Sequence, residues 1–288
     1  MRNILFYKYV EIADPEGLKA SQRALLEELD MKGTILLAHE GINGCVTGSD
    51  EAIAAYKSAL RSDERFSDLE FKEGVTSEHG FKKIKVKVKP EIVASKTTVT
   101  LANKAPYIEP SELKALLDAG EDVVLLDARN NYESALGRFK GAVTPDITVF
   151  RDFTHVADEL AALKDKPVVT YCTGGIRCEK ASAVLKERGF TNVRQLHGGI
   201  IRYGEETKGA HWEGTCFVFD TRRAVFVGDA QPVAQCTGCG KVTQGYYNCA
   251  VKTCDAWYLA CAQCKEALKH CCSQACREKL LETPLLFQ

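Results

Sequence analysis

Tyr171-Cys172-Thr173-Gly174-Gly175-Ile176-Arg177-Cys178 sets a cysteine at the point where an apolar strand hands over to a helix. Pro167 to Tyr171 (PVVTY) reads as the strand, and Glu179 to Arg188 (EKASAVLKER) reads as an amphipathic helix closed by Gly189. Around it, helix and strand alternate, which predicts a parallel sheet covered by helices on both faces. Cys172 then tops its strand and faces a helix N-terminus, where free N–H groups and the positive end of the helix dipole favour an anion. Arg177 adds a full positive charge. Gly174 and Gly175 let the backbone from Thr173 to Ile176 curl so that successive N–H groups point inward as an anion cradle. Each of these lowers a thiol pKa and marks Cys172 as a candidate nucleophile. The structural alternative is a buried cysteine closing a strand end.

Four residues separate Cys172 from Arg177, one fewer than in the phosphate-cradling loop of tyrosine phosphatases, and the tighter cradle suits sulfur. From about Ala105 to Trp212 the residues resemble the rhodanese family. The matching stretches are Asp127-Ala128-Arg129 after the apolar run Val123 to Leu126, Gly137-Arg138-Phe139-Lys140-Gly141-Ala142, the loop itself, and Gly198-Gly199. Asp127 and Arg129 fall at the C-terminal end of the first parallel strand, the edge where open α/β sheets bind ligands. A supporting salt bridge is expected of Asp127, with Arg129 open to a phosphate. Lys180 reads as an ordinary surface lysine.

A chain of 288 residues predicts two or three domains. A formal net charge of -1 gives no global attraction to nucleic acid, so a polyanion must be gripped by local patches. No apolar run approaches membrane-spanning length, and the N-terminal apolar stretch breaks at Lys8, too early for a signal peptide. A cytoplasmic protein without a membrane partner is expected. Thirteen cysteines fit a reducing compartment with catalytic and metal-binding thiols better than a disulfide framework.

Residues 1–95 read as a ferredoxin-like α+β domain in split βαβ order. Its strands are Ile4 to Ile12, Thr34 to Ala38, Gly44 to Thr47 and Phe81 to Val88. Its helices are Pro15 to Leu29 and a Ser49-capped helix to Leu60. Ile42-Asn43-Gly44 carries an Asn-Gly hairpin signal. His39 and Glu40 read as exposed turn residues. In the last strand Lys83, Lys85, Lys87 and Lys89 alternate with apolar residues and share one face. They either track a nucleic-acid backbone or guard a solvated sheet edge. Residues 96–110 read as a linker, 111–213 as the parallel α/β domain and 214–288 as a small cysteine-rich domain. The last opens on a hairpin of Cys216 to Asp220 and Ala224 to Val227.

Nine cysteines lie between Cys236 and Cys276. Cys236-x2-Cys239, Cys249-x4-Cys254, Cys261-x2-Cys264 and Cys272 with Cys276 supply eight ligands, enough for two tetrahedral zinc sites. Cys271, Cys272 and His270 compete for one place. The spacing permits a cross-brace or sequential sites, and an iron-sulfur cluster is the rival to zinc. Tyr246, Tyr247, Trp257 and Tyr258 either pack this small core or stack on bases.

The whole chain resembles the bacterial rhodanese-domain tRNA uridine(34) hydroxylases. The resemblance rests on His39-Glu40-Gly41-Ile42-Asn43-Gly44, the loop and helix start from Cys172 to Ala181, Leu196 to Ile200, and the cysteine-rich tail. It implies a tRNA partner gripped at the anticodon region, with molecular oxygen as co-substrate for hydroxylation of the wobble uridine at C5. Cys172 would attack the base, Arg177 would stabilise developing charge, and Cys178 would supply reducing equivalents or serve as a core residue. No flavin, nicotinamide or Walker fingerprint appears, so the electron source is unassigned, as is the oligomeric state. Two other classes compete: a sulfurtransferase carrying a persulfide on Cys172, and a non-catalytic RNA-binding module.

Overall fold

Strand β1 (Arg2–Tyr9) buries Ile4 and Phe6 completely and turns Leu5, Tyr7 and Tyr9 to its other face. That alternation layers the molecule: helices cover one face of the first sheet, and the second unit covers the other. The computed structural model describes residues 1–254 and 256–282, so the last positions of segment 214–288 lie outside the described residues.

The first unit continues through α1 (Pro15–Glu28), β2 (Lys32–Ala38), β3 (Gly41–Gly48), α2 (Asp50–Arg61), β4 (Phe71–Val75) and β5 (Ile84–Val88). Asp14 and Ser49 cap the two helices by accepting from the N–H groups of Gly17 and Ala52. Leu26, Ile53, Tyr56 and Leu60 then pack on Ile4, Phe6, Ile35, Leu37, Ile42 and Val46. The sheet order is β4-β1-β3-β2-β5, antiparallel except between β2 and β5.

Two expectations change here. The strand that completes the ferredoxin-like order is β4, whose sequence FKEGV shows no apolar alternation; β5, expected in that place, is an added edge strand. The hairpin turns at His39-Glu40, and Asn43-Gly44 lies inside β3, where a Cβ on Gly44 would stand 2.3 Å from the Phe6 ring.

The second unit comprises β6 (Tyr107–Ile108), α3 (Pro110–Asp118), β7 (Val124–Asp127), α4 (Asn131–Ser134), β8 (Gly137–Phe139), α5 (Phe153–Glu159), β9 (Val168–Tyr171), α6 (Ile176–Glu187), β10 (Val193–Leu196) and α7 (Gly199–Thr207). Its parallel sheet runs β6-β10-β9-β7. Phe153, Val156, Ala181, Val184 and Leu185 of α5 and α6 cover one face, and Leu113, Ile200 and Tyr203 of α3 and α7 cover the other. β6 arises within the stretch read as linker and pairs with β10, so the connection ends before residue 107.

Helix α6 departs from the amphipathic reading, because everything from Arg177 to Leu185 is buried. It is sandwiched between the parallel sheet and the first unit; Glu179 and Lys180 find partners in the first unit, and Arg177 pairs with Glu133 of α4.

β11 (Trp212–Phe217) pairs with β8 on one side and β12 (Ala224–Phe226) on the other, forming the expected hairpin and splicing the second unit to the third. β13 (Tyr246–Asn248), β14 (Trp257–Leu259), α8 (Ala262–Ala267) and α9 (Gln274–Glu282) follow. Tyr246 and Trp257 stack with centroids 5.0 Å apart and both stack on Tyr132 of α4. The third unit is thereby packed on the helix that carries Glu133.

Candidate active site and metal centres

Cys172 follows β9 and is fully buried. The loop behind it turns through Gly175, whose φ of +100° favours glycine, and α6 begins at the next residue. Gly175 N–H donates to Cys172 Sγ at 3.1 Å. Gly199 supports the loop from below; a Cβ there would stand 2.5 Å from the Cys172 carbonyl oxygen. This accounts for the second glycine of Leu196 to Ile200.

Burial pushes the Cys172 thiol up, but the Cys178 S–H, the Arg177 charge and the N–H groups of Arg177 and Gly175 outweigh it, and the pKa falls to about 6. Cys178 moves the other way, well above the ordinary thiol value, through burial and its hydrogen bond to Cys172. One thiol of the pair is thus held as thiolate by the other.

Arg177 does not face the cradle as a free cation. Its two terminal nitrogens donate to the carboxylate oxygens of Glu133 at 2.5 and 2.8 Å, with both groups buried. Glu133 is itself held by the Asn130 backbone N–H, which donates to its Oε2 at 3.2 Å, half of the Asn-x-x-Glu box legible in the sequence but not singled out there. Arg129 is likewise occupied. It is 1% exposed, forks onto Asp127, donates to the Gly137 carbonyl at 2.7 Å and lies against Trp212. The salt bridge expected of Asp127 is present, and Arg129 is not open to phosphate.

The first unit roofs this loop through the outward face of β1. Leu5 lies over Gly174, Tyr7 over Gly175, and Tyr9 donates to the Ile176 carbonyl at 3.4 Å. The Tyr7 and Tyr107 hydroxyls both donate to Glu179, which also pairs with Lys104. Lys180 is no surface lysine: it is 4% exposed and donates to Glu40 at 3.0 Å and Glu91 at 2.9 Å. Glu40 in turn accepts from Ile92 N–H, so this turn residue joins the two units.

A cleft of about 390 Å³ opens beside the loop at Thr173, within the size range of small-molecule sites. β1 and β4 form one wall through Asn3, Leu5 and Lys72, α7 forms another, and Phe219 and Phe226 stand 64% and 58% exposed on its rim. None of these lining residues except Thr173 was singled out in the sequence. Lys83, Lys85, Lys87 and Lys89 are exposed on or beside β5, at the sheet edge opposite β4, roughly 14 Å from β1 and roughly 19 Å from β4 by strand spacing.

The tail gathers its thiols into two groups, Cys236, Cys239, Cys261 and Cys264, and Cys249, Cys254, Cys272 and Cys276. First and third pairs meet, as do second and fourth, which is the cross-brace. Within each group all four sulfurs lie within 4.8 Å of one another, and measured contacts are 3.7 Å for Cys239–Cys261, Cys254–Cys272 and Cys272–Cys276. A tetrahedron with metal–sulfur bonds of about 2.3 Å has edges of about 3.8 Å, so each group fits a single ion. Cys271 is the spare thiol, fully buried and turned to the Lys269 carbonyl, and His270 pairs with Glu266.

Fold and site together define a rhodanese-type thiol protein with a roofing domain and a cysteine-rich tail whose two thiol groups could each hold a metal ion. Family models agree along the chain: a UPF0176 acylphosphatase-like domain at residues 1–92, a rhodanese-like domain at 109–206 and a rhodanase C-terminal region at 213–277. The chain is 44% identical over 278 residues to a tRNA uridine(34) hydroxylase of Cytophaga hutchinsonii, covering 95% of this chain and 89% of that one. Proteins of the same name from Listeria monocytogenes (44%, 95% and 88% covered) and Staphylococcus epidermidis (42%, 96% and 88% covered) match over the same span. The chain belongs to the tRNA uridine(34) hydroxylase family. Among the described residues no helix is long and apolar enough to cross a membrane.

Proposed function

We propose that this protein is a cytoplasmic tRNA-modifying oxidoreductase that hydroxylates the wobble uridine at C5, with dioxygen as co-substrate. The observation that carries the reading is a thiolate-poised Cys172 whose neighbour Thr173 lines a base-sized cleft, in a chain similar over 95% of its length to a protein named for that reaction. The Cys172 thiolate adds to C6 of the uracil ring, C5 becomes nucleophilic, and C5 takes up dioxygen. Cradle N–H groups stabilise the negative charge that develops, and the paired Arg177 holds the loop in shape. Cys178 closes the electron balance. Uridine, dioxygen and the two thiols give 5-hydroxyuridine, water and a Cys172–Cys178 disulfide, which an external reductant reopens.

Each thiol group of the tail would hold one structural zinc ion; all four sulfurs of a group lie within 4.8 Å of one another, which favours one shared ion over an iron-sulfur cluster, whose thiolates on different irons stand further apart. The exposed lysines at the β5 edge lie away from the cleft, which supports a role on tRNA phosphates rather than on the target base. A sulfurtransferase reading loses ground because Glu133 neutralises the loop arginine that an anionic sulfur donor would need.

The test is accurate-mass nucleoside analysis of tRNA from a host lacking its own enzyme, expressing this protein or Cys172→Ala. Gain of oxygen and exchange of oxygen for sulfur share a nominal mass, so exact mass is required. Cys172-dependent 5-hydroxyuridine supports the reading; a thiolated base makes the protein a sulfurtransferase, and an unchanged profile leaves a binding role.

A further inference from the structure

The cleft beside the loop contains a polar group without a counterpart. Asn3 lines it, is 7% exposed, and its side-chain oxygen has no hydrogen-bond partner among the described residues. Buried acceptors are seldom left unpaired without a reason. The amide lies between Cys45 of β3 and Gly74 of β4, with its oxygen on the Gly74 side.

Asn3 also stands at a defined distance from the chemistry. It shares the outward face of β1 with Leu5, roughly 7 Å away along the strand. Leu5 reaches the loop, its Cδ2 lying 2.7 Å from where a Gly174 Cβ would be. Beside Asn3 is Arg222. Its Nε and Nη2 are bound to Asp220, while a Cβ on Gly74 would have Asn3 Oδ1 at 2.6 Å and Arg222 Nη1 at 3.6 Å. One acceptor and one donor therefore lie together in the part of the cleft beyond Leu5.

We propose that Asn3 is the residue that selects uracil, by accepting a hydrogen bond from N3–H of the target base. The proposal rests on the hydroxylase reading above. In a pyrimidine, N3 lies across the ring from C6. A base with C6 at Cys172 therefore directs N3 away from the loop, toward the Asn3 end of the cleft. Uracil presents a proton there with a carbonyl on either side, matching the Asn3 oxygen and the Arg222 nitrogen. Cytosine presents a lone pair at N3 and leaves the acceptor facing an acceptor. An unpaired buried polar group in a recognition site costs a large rate factor, so discrimination of roughly 10- to 100-fold in kcat/KM is expected from this bond. Gly74 contributes by having no side chain where the Asn3 oxygen sits.

The experiment compares wild-type protein, Asn3→Ala and Asn3→Asp on tRNA transcripts carrying uridine or 3-methyluridine at position 34. It reads 5-hydroxylation by exact mass, with Cys172 alkylation against pH and the thermal midpoint as controls. Expected are a roughly 10- to 100-fold lower kcat/KM for Asn3→Ala, greater activity in Asn3→Asp because a carboxylate also accepts from N3–H, and rejection of 3-methyluridine by the wild type. The alkylation midpoint should stay near that of the wild type in both variants. Wild-type activity in a folded Asn3→Ala protein, or equal use of 3-methyluridine by the wild type, overturns the proposal. A loss in both variants that moves with the Cys172 midpoint overturns it too, by assigning Asn3 a structural role. A wild-type protein that makes no 5-hydroxyuridine defeats the underlying reading instead.

Discussion

Arg177 and Glu133 face each other inside the protein, and the guanidinium that the loop sequence offers to a ligand is spent on a buried carboxylate. The cradle therefore works mainly through its N–H groups and the helix dipole, while the paired arginine still helps to lower the Cys172 pKa. Breaking a buried pair leaves one charge uncompensated, which costs about 3–5 kcal/mol. Glu133→Ala should lose that much stability in urea unfolding. The milder Glu133→Gln should leave Arg177 positively charged near Cys172 and move the alkylation midpoint of that thiol below its wild-type value. An unchanged midpoint in Glu133→Gln would mean that Arg177 does not act on the thiol.

The Cys172 thiol should titrate near pH 6, against roughly 8.5 for an ordinary cysteine. Its alkylation by iodoacetamide should rise through pH 6 and level off by neutrality. Cys178 lowers this value by donating its S–H, so Cys178→Ala should shift the profile upward, toward the ordinary thiol range. A profile that stays put in Cys178→Ala would remove Cys178 from the activation of Cys172.

Lys180 joins the two units, and its partner Glu91 is held down to about 2; burial opposes this, and the Ser95 N–H and hydroxyl together with Lys180 outweigh it. A carboxylate depressed in the folded state stabilises fully above its unfolded pKa of roughly 4.3 and stops doing so as pH falls through the folded value. Lys180→Met should cost about 1–3 kcal/mol at pH 7. The gap between the variant and wild-type unfolding curves should narrow as pH drops from 4 toward 2. A gap independent of pH would place the effect of Lys180 in packing rather than charge.

What the sequence disclosed and what it hid follow from range. The loop was legible because strand, glycines, arginine and helix lie within a few residues and each speaks for the same local geometry. The thiol pairs were legible because metal ligands come in short spacings. Glu133, 44 residues before Arg177, and Glu40, 140 residues before Lys180, become partners only through tertiary packing. β4 was missed because it has no apolar alternation, and β5 was misplaced because alternation identifies a strand without identifying its neighbour. Lys180 looked superficial because α6 was read as having a solvent face, and the first unit occupies that face.

The two thiol groups give the sharpest test of side-chain assignment, because adjacent cysteines fall inside and outside them. Cys272 Sγ lies 3.7 Å from both Cys254 and Cys276, whereas Cys271 belongs to neither group and is buried beside Cys249 and Val251. Purified protein should carry two zinc ions by elemental analysis. Cys236→Ser and Cys249→Ser should each lose one, Cys272→Ser should behave as Cys249→Ser, and Cys271→Ser should keep both. Thiolate ligation supplies folding free energy to a segment this poor in apolar core, so a strong chelator should unfold the tail. Trp257 reports the event directly, being stacked on Tyr246 and Tyr132 in the native state. Its fluorescence should change as metal leaves, in step with metal release rather than after it. Loss of both ions from Cys236→Ser alone would show that the two centres fold as one cooperative unit, whereas retention of both in Cys272→Ser would reverse the roles of Cys271 and Cys272.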